Sequence, residues 1–411
     1  MRLNHRRAAT LALGLFARTA LPAGAGGAGG GRPPTSAAAL GDRLRRLADE
    51  LLVPGGVALV RSPRLGDWTM AWGTRARGGG APVRLGDHVR VGSNTKTWTG
   101  TVILQLVQEG RLRLDTPIGA YRPDVPGGGA ITIAHLLAMR SGLPNYTESL
   151  ELNRILDEEP THVFAPHDLL AIAFASPPLF PPGEAFHYSN TNTVLLGLLI
   201  EQLTGRPVEQ EFQSRLFAPL GLRSTLLPAP TSNAIPAPYP RGYMFGTNLE
   251  TLTSQVLPPA QQAAARAGTL HPYDVTDTNP SWAWTAGAGI STAEDLARLA
   301  AALAGGAYLT PALQRQRRES IRPRDPAEPG GPGYGLALAR FGPLYGHTGE
   351  LPGYNSFAGH DPATGDTVVT WTNLNAGPDG RAPANELARL IIGELAGAPP
   401  TVPSPELGVG G

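Results

Sequence analysis

The sequence predicts an α+β fold: one antiparallel sheet formed by both chain ends and flanked by helices, with a mostly helical region inserted between the sheet-forming parts. Three observations carry this. Short runs of strand character stand early, at Val57-Ala58-Leu59-Val60 and Trp68-Thr69-Met70-Ala71-Trp72. From Thr132 to about Arg223 the apolar spacing is that of helices. Strand patterns return only in the C-terminal part, around Gly335 to Ala339, Tyr345 to His347, Tyr354 to Gly359 and Thr367 to Thr372.

Taken in order, the chain begins with Arg2, Arg6 and Arg7, an apolar run from Ala8 to Ala17 broken off by Arg18, and small residues at Ala23-Gly24-Ala25. These are the three parts of an export signal, expected over residues 1–30 and implying a secreted or cell-envelope location. The run is too short to span a bilayer, and no later segment is long and charge-free enough, so no transmembrane span is expected. After a Gly/Pro-rich linker, leucines at helical spacing predict a helix from Ala37 to Leu52. The two strand runs read as a hairpin, divided by Pro63 and Gly66. A helix is expected to start at Ser93 and run through Val107, with Gly110 as its stop. Further helices are expected at His135 to Met139, Pro166 to Ala175 and Asn192 to Leu203, and the proline-rich residues 224–280 read as long surface loops. Ser291-Thr292-Ala293-Glu294 reads as a capping box opening a helix to about Leu303, and Asn385 to Leu395 as a last amphipathic helix. The expected organisation is a single domain over 31–398, with an α/β lobe (about 36–92 and 285–398), a helical lobe (about 93–284) and a disordered tail at 399–411.

Composition narrows the chemistry. The 411 residues carry a formal net charge of +1, which becomes about −3 once the four arginines of residues 1–30 are removed, so no nucleic-acid partner is indicated. Zero cysteines exclude disulfides, thiol catalysis and cysteine metal sites. The histidines lack metal-like spacing, and neither a metal nor another cofactor is expected.

One residue stands apart. Lys96 is the only lysine, the other 33 basic residues being arginine. Arginine does not lose its proton in proteins, whereas a buried lysine can, so a lysine kept here points to a proton that must come off. Ser93 lies three residues upstream, on the same helical face, near the positive end of a helix. Downstream stand Tyr188-Ser189-Asn190 and His347-Thr348-Gly349.

In this order, Ser-x-x-Lys, Tyr-x-Asn and His-Thr-Gly resemble the serine β-lactamase and DD-peptidase superfamily, in its class C-like branch. The likeness extends to His135-Leu136-Leu137, Ser141-Gly142-Leu143, Trp282 before Ala286-Gly287-Ala288, and Tyr334-Gly335-Leu336. Over roughly residues 37–397 the chain is similar to secreted D-alanyl-D-alanine carboxypeptidases. The resemblance implies a β-lactamase/transpeptidase-like fold and an acyl-enzyme on Ser93, with Lys96 or Tyr188 as general base and His347 lining the site. It implies that Asn190 orients the substrate amide and helps fix Lys96, and that the backbone N–H groups of Ser93 and Glu350 form an oxyanion hole. Trp282, Thr348, Gly349 and Glu350 complete the expected substrate-binding set.

The resemblance further implies a small peptide, amide or ester as substrate and β-lactams as acylating ligands. Two positions depart from the carboxypeptidase pattern. Ala339 stands where an arginine would hold a terminal carboxylate, and strand alternation turns the neighbouring Arg340 to the other face. Glu350 stands where a hydroxyl residue is usual, and its charge would repel such a carboxylate. The expected activity is a D-alanyl-D-alanine carboxypeptidase-type peptidase, with an esterase, a D-amino-acid amidase or aminopeptidase, and a non-catalytic β-lactam-binding protein as alternatives.

Overall fold

The computed structural model describes residues 37–397 except Leu65. The expected export signal and the tail at 399–411, for which disorder is expected, lie outside the described residues.

Nine strands form one antiparallel sheet: β1 (Gly55–Arg61), β2 (Trp68–Ala76), β3 (Gly79–Pro82), β4 (Arg322–Pro323), β5 (Gly333–Tyr334), β6 (Ala339–Phe341), β7 (Leu344–Leu351), β8 (Tyr354–His360) and β9 (Thr367–Thr372). Their spatial order is β3-β2-β1-β9-β8-β7-β6-β5-β4, so the first and last strands of the chain pair at its centre, with Gly56 opposite Thr372 and Arg61 opposite Thr367. This is the sheet completed by both chain ends that the strand runs predicted.

Alternation along β1 explains why both its faces are apolar. Val57 and Leu59 enter the larger core with Trp98, Val369 and Trp371, whereas Ala58 and Val60 enter a second core with Leu44, Leu387 and Ile391. The second core is closed by the helices Ala37–Glu50 and Pro383–Leu395, which pack on each other. The opposite face is covered by the helix Ala293–Gly305, and the helix Thr95–Gln108 is buried in the same larger core.

Four sequence expectations change. The capping residue of the helix Ala293–Gly305 is Thr292, whose Oγ1 accepts from the Asp295 amide, while Glu294 instead forms an ion pair with Arg61 at 2.7 Å. The expected strand Gly335 to Ala339 is interrupted, because Ala337 adopts a left-handed conformation with φ 49°. The fully buried Arg317 holds that interruption: its Nε and Nη2 donate to the carbonyls of Leu336 and Ala337, both at 2.9 Å, and its Nη1 to Thr101 Oγ1 at 3.0 Å. The broken strand is thereby tied to the helix that carries Lys96. The helix expected over His135 to Met139 spans Ile133–Leu137, and Met139 beyond it has φ 58°. Finally, residues 224–280 contain the helices Asn248–Thr253 and Pro259–Arg266 as well as loops.

Candidate active site

Ser93 lies in a short 3-10 turn, Gly92–Asn94, that runs directly into the helix Thr95–Gln108. Gly92 has φ 55° and packs so tightly on β7 that a Cβ there would stand 2.5 Å from the Glu350 amide nitrogen. Gly349 is equally constrained, since its Cβ would meet the Val91 carbonyl oxygen at 1.9 Å. Only glycine fits either position, and the pair lets the Ser93 turn approach the backbone of Glu350.

One helical turn on, Lys96 Nζ stands 2.9 Å from Ser93 Oγ and donates to the Ala286 carbonyl at 2.6 Å. It also lies 4.8 Å above the centre of the Tyr188 ring. The lysine is buried, and loss of hydration alone moves its pKa well below the ordinary value. A neutral amine so placed can accept the Ser93 proton while keeping an N–H on Ala286. The short helix Trp284–Gly287 that presents this carbonyl is fixed by Thr99 Oγ1, which donates to the Thr285 carbonyl at 2.8 Å, and by Thr285 Oγ1, which donates to the Thr193 carbonyl at 3.0 Å.

Tyr188 precedes the helix Asn190–Thr204, and its phenol is buried beside Ser93. Burial, helped by the neighbouring Tyr334, holds its pKa well above the usual value; proximity to Ser93 acts in the opposite sense without a well-aligned hydrogen bond. Burial therefore favours the phenol over the phenolate at Tyr188, and likewise the neutral amine over the ammonium at Lys96. Asn190 Nδ2 donates to Thr147 Oγ1 at 3.2 Å and its amide donates to Asn145 Oδ1 at 3.0 Å. The hold on Lys96 implied for Asn190 comes instead from Ala286.

His347 on β7 is completely buried, with Nδ1 2.6 Å from the Thr348 carbonyl and Nε2 3.2 Å from the Tyr334 hydroxyl. A carbonyl only accepts, so Nδ1 carries the proton and Nε2 accepts from Tyr334. Burial above all pushes the imidazole down to about 3, and a proton on Lys96 would act in the same sense, so it is neutral at physiological pH. Thr348 and Gly349 are buried in the same strand.

Beside Ser93 opens a cleft of about 920 Å³ including its mouth, lined among others by Asn190, Trp282, Glu350, Glu148 and Gln255. Trp282 forms part of the wall, its carbonyl accepting from the Tyr146 hydroxyl at 2.7 Å. Another wall is the helix Asn248–Thr253, whose first amides are capped from a distance: Asp157 accepts from the amides of Asn248 at 2.7 Å and Leu249 at 3.0 Å. Just beyond this helix, Gln255 Nε2 donates to Glu350 Oε1 at 2.6 Å. Glu350 is enclosed by protein yet accessible from the cleft; burial raises its pKa to about 7, while Gln255 and Asn375 pull it down. Arg340 is exposed between the buried Ala339 and Phe341, so it faces solvent as strand alternation required. Ala286, Tyr334, Gln255, Glu148 and Asn375 were not singled out by residue type; Ala286 and Tyr334 stood within short runs of family likeness, but nothing marked their contacts.

The sequence pattern described as Beta-lactamase matches residues 44–392. This chain belongs to the beta-lactamase family. A penicillin-binding protein 4 of Amycolatopsis lactamdurans is 29% identical over 390 residues, covering 89% of this chain and 93% of that one. An esterase of Burkholderia gladioli is 27% identical over 318 residues, covering 73% and 79%. Among solved structures, a D-stereospecific amidohydrolase from Streptomyces sp. superimposes with a TM-score of 0.72 at 30% identity, covering 87% of this chain and 99% of that one. The D-amino acid amidase of Ochrobactrum anthropi SV3 gives 0.71 at 25% identity, covering 86% and 98%. The β-lactamase/transpeptidase-like fold and membership among serine hydrolases follow.

Proposed function

We propose that this beta-lactamase-family hydrolase cleaves amides or esters that present no free carboxylate beside the scissile bond, by acyl transfer to Ser93. The observation that carries the reading is Lys96 Nζ at 2.9 Å from Ser93 Oγ in a site that disfavours the ammonium form. Neutral Lys96 takes the Ser93 proton as Oγ attacks the substrate carbonyl carbon. The carbonyl oxygen becomes an oxyanion received by the N–H groups of Ser93 and Glu350, which Gly92 and Gly349 bring together. Collapse breaks the bond to the amine or alcohol, which leaves with a proton returned from Lys96 directly or through the Tyr188 hydroxyl. Water then attacks the acyl-enzyme by the same steps in reverse. His347, neutral and held by Tyr334, supports Tyr188 and Lys96 without adding positive charge near the amine.

Glu350 decides between substrate classes in this reading. Its carboxyl opens on the cleft, and Arg340 is exposed on a strand that does not line it. The likeness to the amidohydrolase, the amidase and the esterase supports the same choice. The penicillin-binding relative favours a second reading, a D-alanyl-D-alanine carboxypeptidase acylated by β-lactams. A panel of D-Ala-D-Ala peptides, their C-terminal amides, D-amino-acid amides and short-chain esters separates the two. The wild type is expected to prefer amide or ester over free carboxylate, and Glu350→Thr to shift kcat/KM toward the carboxylate by about 5- to 30-fold. A wild type that prefers the free carboxylate, with a ratio unaltered by Glu350→Thr, would select the carboxypeptidase.

Action outside the cytoplasm is proposed on the basic, apolar and small-residue segments of the first 30 residues. No helix among the described residues is long and apolar enough to cross a membrane.

A further inference from the structure

Resting on the acyl-transfer reading, we infer that Asn355 and Ser356, neighbours on β8, are positioning residues of the oxyanion hole, each holding one of its two N–H donors.

The two donors come from distant parts of the chain, Ser93 from the turn before the helix Thr95–Gln108 and Glu350 from β7, so their spacing has to be fixed by a third element. On the Glu350 side the unit to be held is one peptide group. Its N–H belongs to Glu350 and its oxygen to Gly349, and the group is planar, so holding the oxygen aims the N–H. Gly349 leaves this plane free to turn, because a residue without Cβ restricts its own backbone least. Asn355, buried and opposite Glu350 in the strand pairing, restores the restraint: its Nδ2 donates to the Gly349 carbonyl at 3.1 Å. A bond donated to a peptide oxygen also polarises the N–H at the other end of the group, strengthening it as a donor by about 10–30%. The side chain is itself anchored, since its Oδ1 accepts from the Asn385 amide at 3.2 Å, in the first turn of the helix Pro383–Leu395.

Ser356, the next residue, points to the other face of β8 and holds the Ser93 side. Its Oγ donates to the Val91 carbonyl at 2.8 Å and accepts from Asn94 Nδ2 at 2.9 Å. Val91 and Asn94 flank the Gly92-Ser93 pair, so one hydroxyl grips both ends of the turn that presents the Ser93 N–H. The same oxygen would stand 2.4 Å from a Cβ at Gly349, which places it between the two halves of the hole. Two adjacent residues of one strand thus register the nucleophile's turn against the Glu350 peptide. Neither lines the cleft, so they act through the backbone they hold rather than on the substrate.

The test compares 4-nitrophenyl butyrate with its thiono analogue, in which C=S replaces C=O, using wild type, Asn355→Leu and Ser356→Ala. Sulfur is larger and a weaker hydrogen-bond acceptor, so a hole built for oxygen favours the ester. The ratio of the two kcat/KM values reports on the hole, while losses of folded enzyme cancel. In each variant kcat/KM for the ester is expected to fall about 10-fold and the ratio about 5- to 10-fold, less than the roughly 10²–10³ lost when a whole donor is removed. Ser356→Ala deletes one atom and leaves Asn94 Nδ2 on the Val91 carbonyl at 3.1 Å, so it carries the test should Asn355→Leu fail to fold. A folded variant that keeps the wild-type ratio overturns this inference alone. A wild-type ratio no higher than that of hydroxide-catalysed hydrolysis in solution shows that no oxyanion hole operates, and overturns the donor assignment together with this inference.

Discussion

Replacing Ser93 by alanine is expected to lower kcat/KM on every substrate by about 10⁴-fold or more, the scale seen when a covalent nucleophile is removed from an enzyme that otherwise keeps its binding groups. The Oγ atom stands against both the Lys96 amine and the proposed oxyanion donors. The substitution removes one oxygen from a 3-10 turn whose backbone is held by Gly92 and by the Thr95 hydroxyl on the Gly92 carbonyl at 2.7 Å, so the fold should survive. An unchanged melting temperature together with lost turnover would assign the effect to chemistry. Activity within a few-fold of wild type would place the nucleophile elsewhere.

The second large effect is expected at Lys96. Arginine is a permanent cation that keeps the chance of a hydrogen bond to the Ala286 carbonyl, but it cannot become a neutral base. Lys96→Arg should therefore lose about 100-fold or more, close to the loss in Lys96→Ala, in line with removal of a general base. The sign of the pH dependence follows from burial. Desolvation lowers the Lys96 pKa, so the active, neutral form prevails from a lower pH than for an exposed lysine, and activity declines as acid protonates it. Steady-state rates for the two variants across a pH series provide the measurement, and an arginine variant that keeps wild-type rates would remove the proton-acceptor role from this residue.

The catalytic pair was legible because its signal is local. A lone lysine among arginines, and a serine on the same helical face, survive without any knowledge of the rest of the chain. The central sheet was legible for a related reason: β1 and β9 are short runs rich in β-branched and apolar residues, and their type needs no long-range information. What the sequence did not show depends on contacts between distant residues. The helix Asn248–Thr253 is too short to display a periodicity; its start carries a local capping box of Thr247 and Glu250, and the further bonds to its Asn248 and Leu249 amides come from Asp157, 91 residues from Asn248. The break at Ala337 is held by Arg317, whose three hydrogen bonds cannot be read from an arginine in a chain rich in arginine. Ala286 contributes through its carbonyl, which any residue carries, so no side-chain pattern could have marked it as the partner of Lys96. Glu350 was visible as a departure from a motif, but its enclosure and its bond to Gln255 belong to the folded chain.

The claim on which everything above depends is that Ser93 becomes covalently acylated. Its most direct test is to mix the enzyme with a slowly released acylating agent such as a β-lactam, quench in acid within the first turnover, digest, and locate the added mass by tandem mass spectrometry. The account predicts a single stoichiometric adduct on the peptide containing Ser93, formed by the wild type and absent from Ser93→Ala. An adduct on another residue that persists in the alanine variant would contradict it.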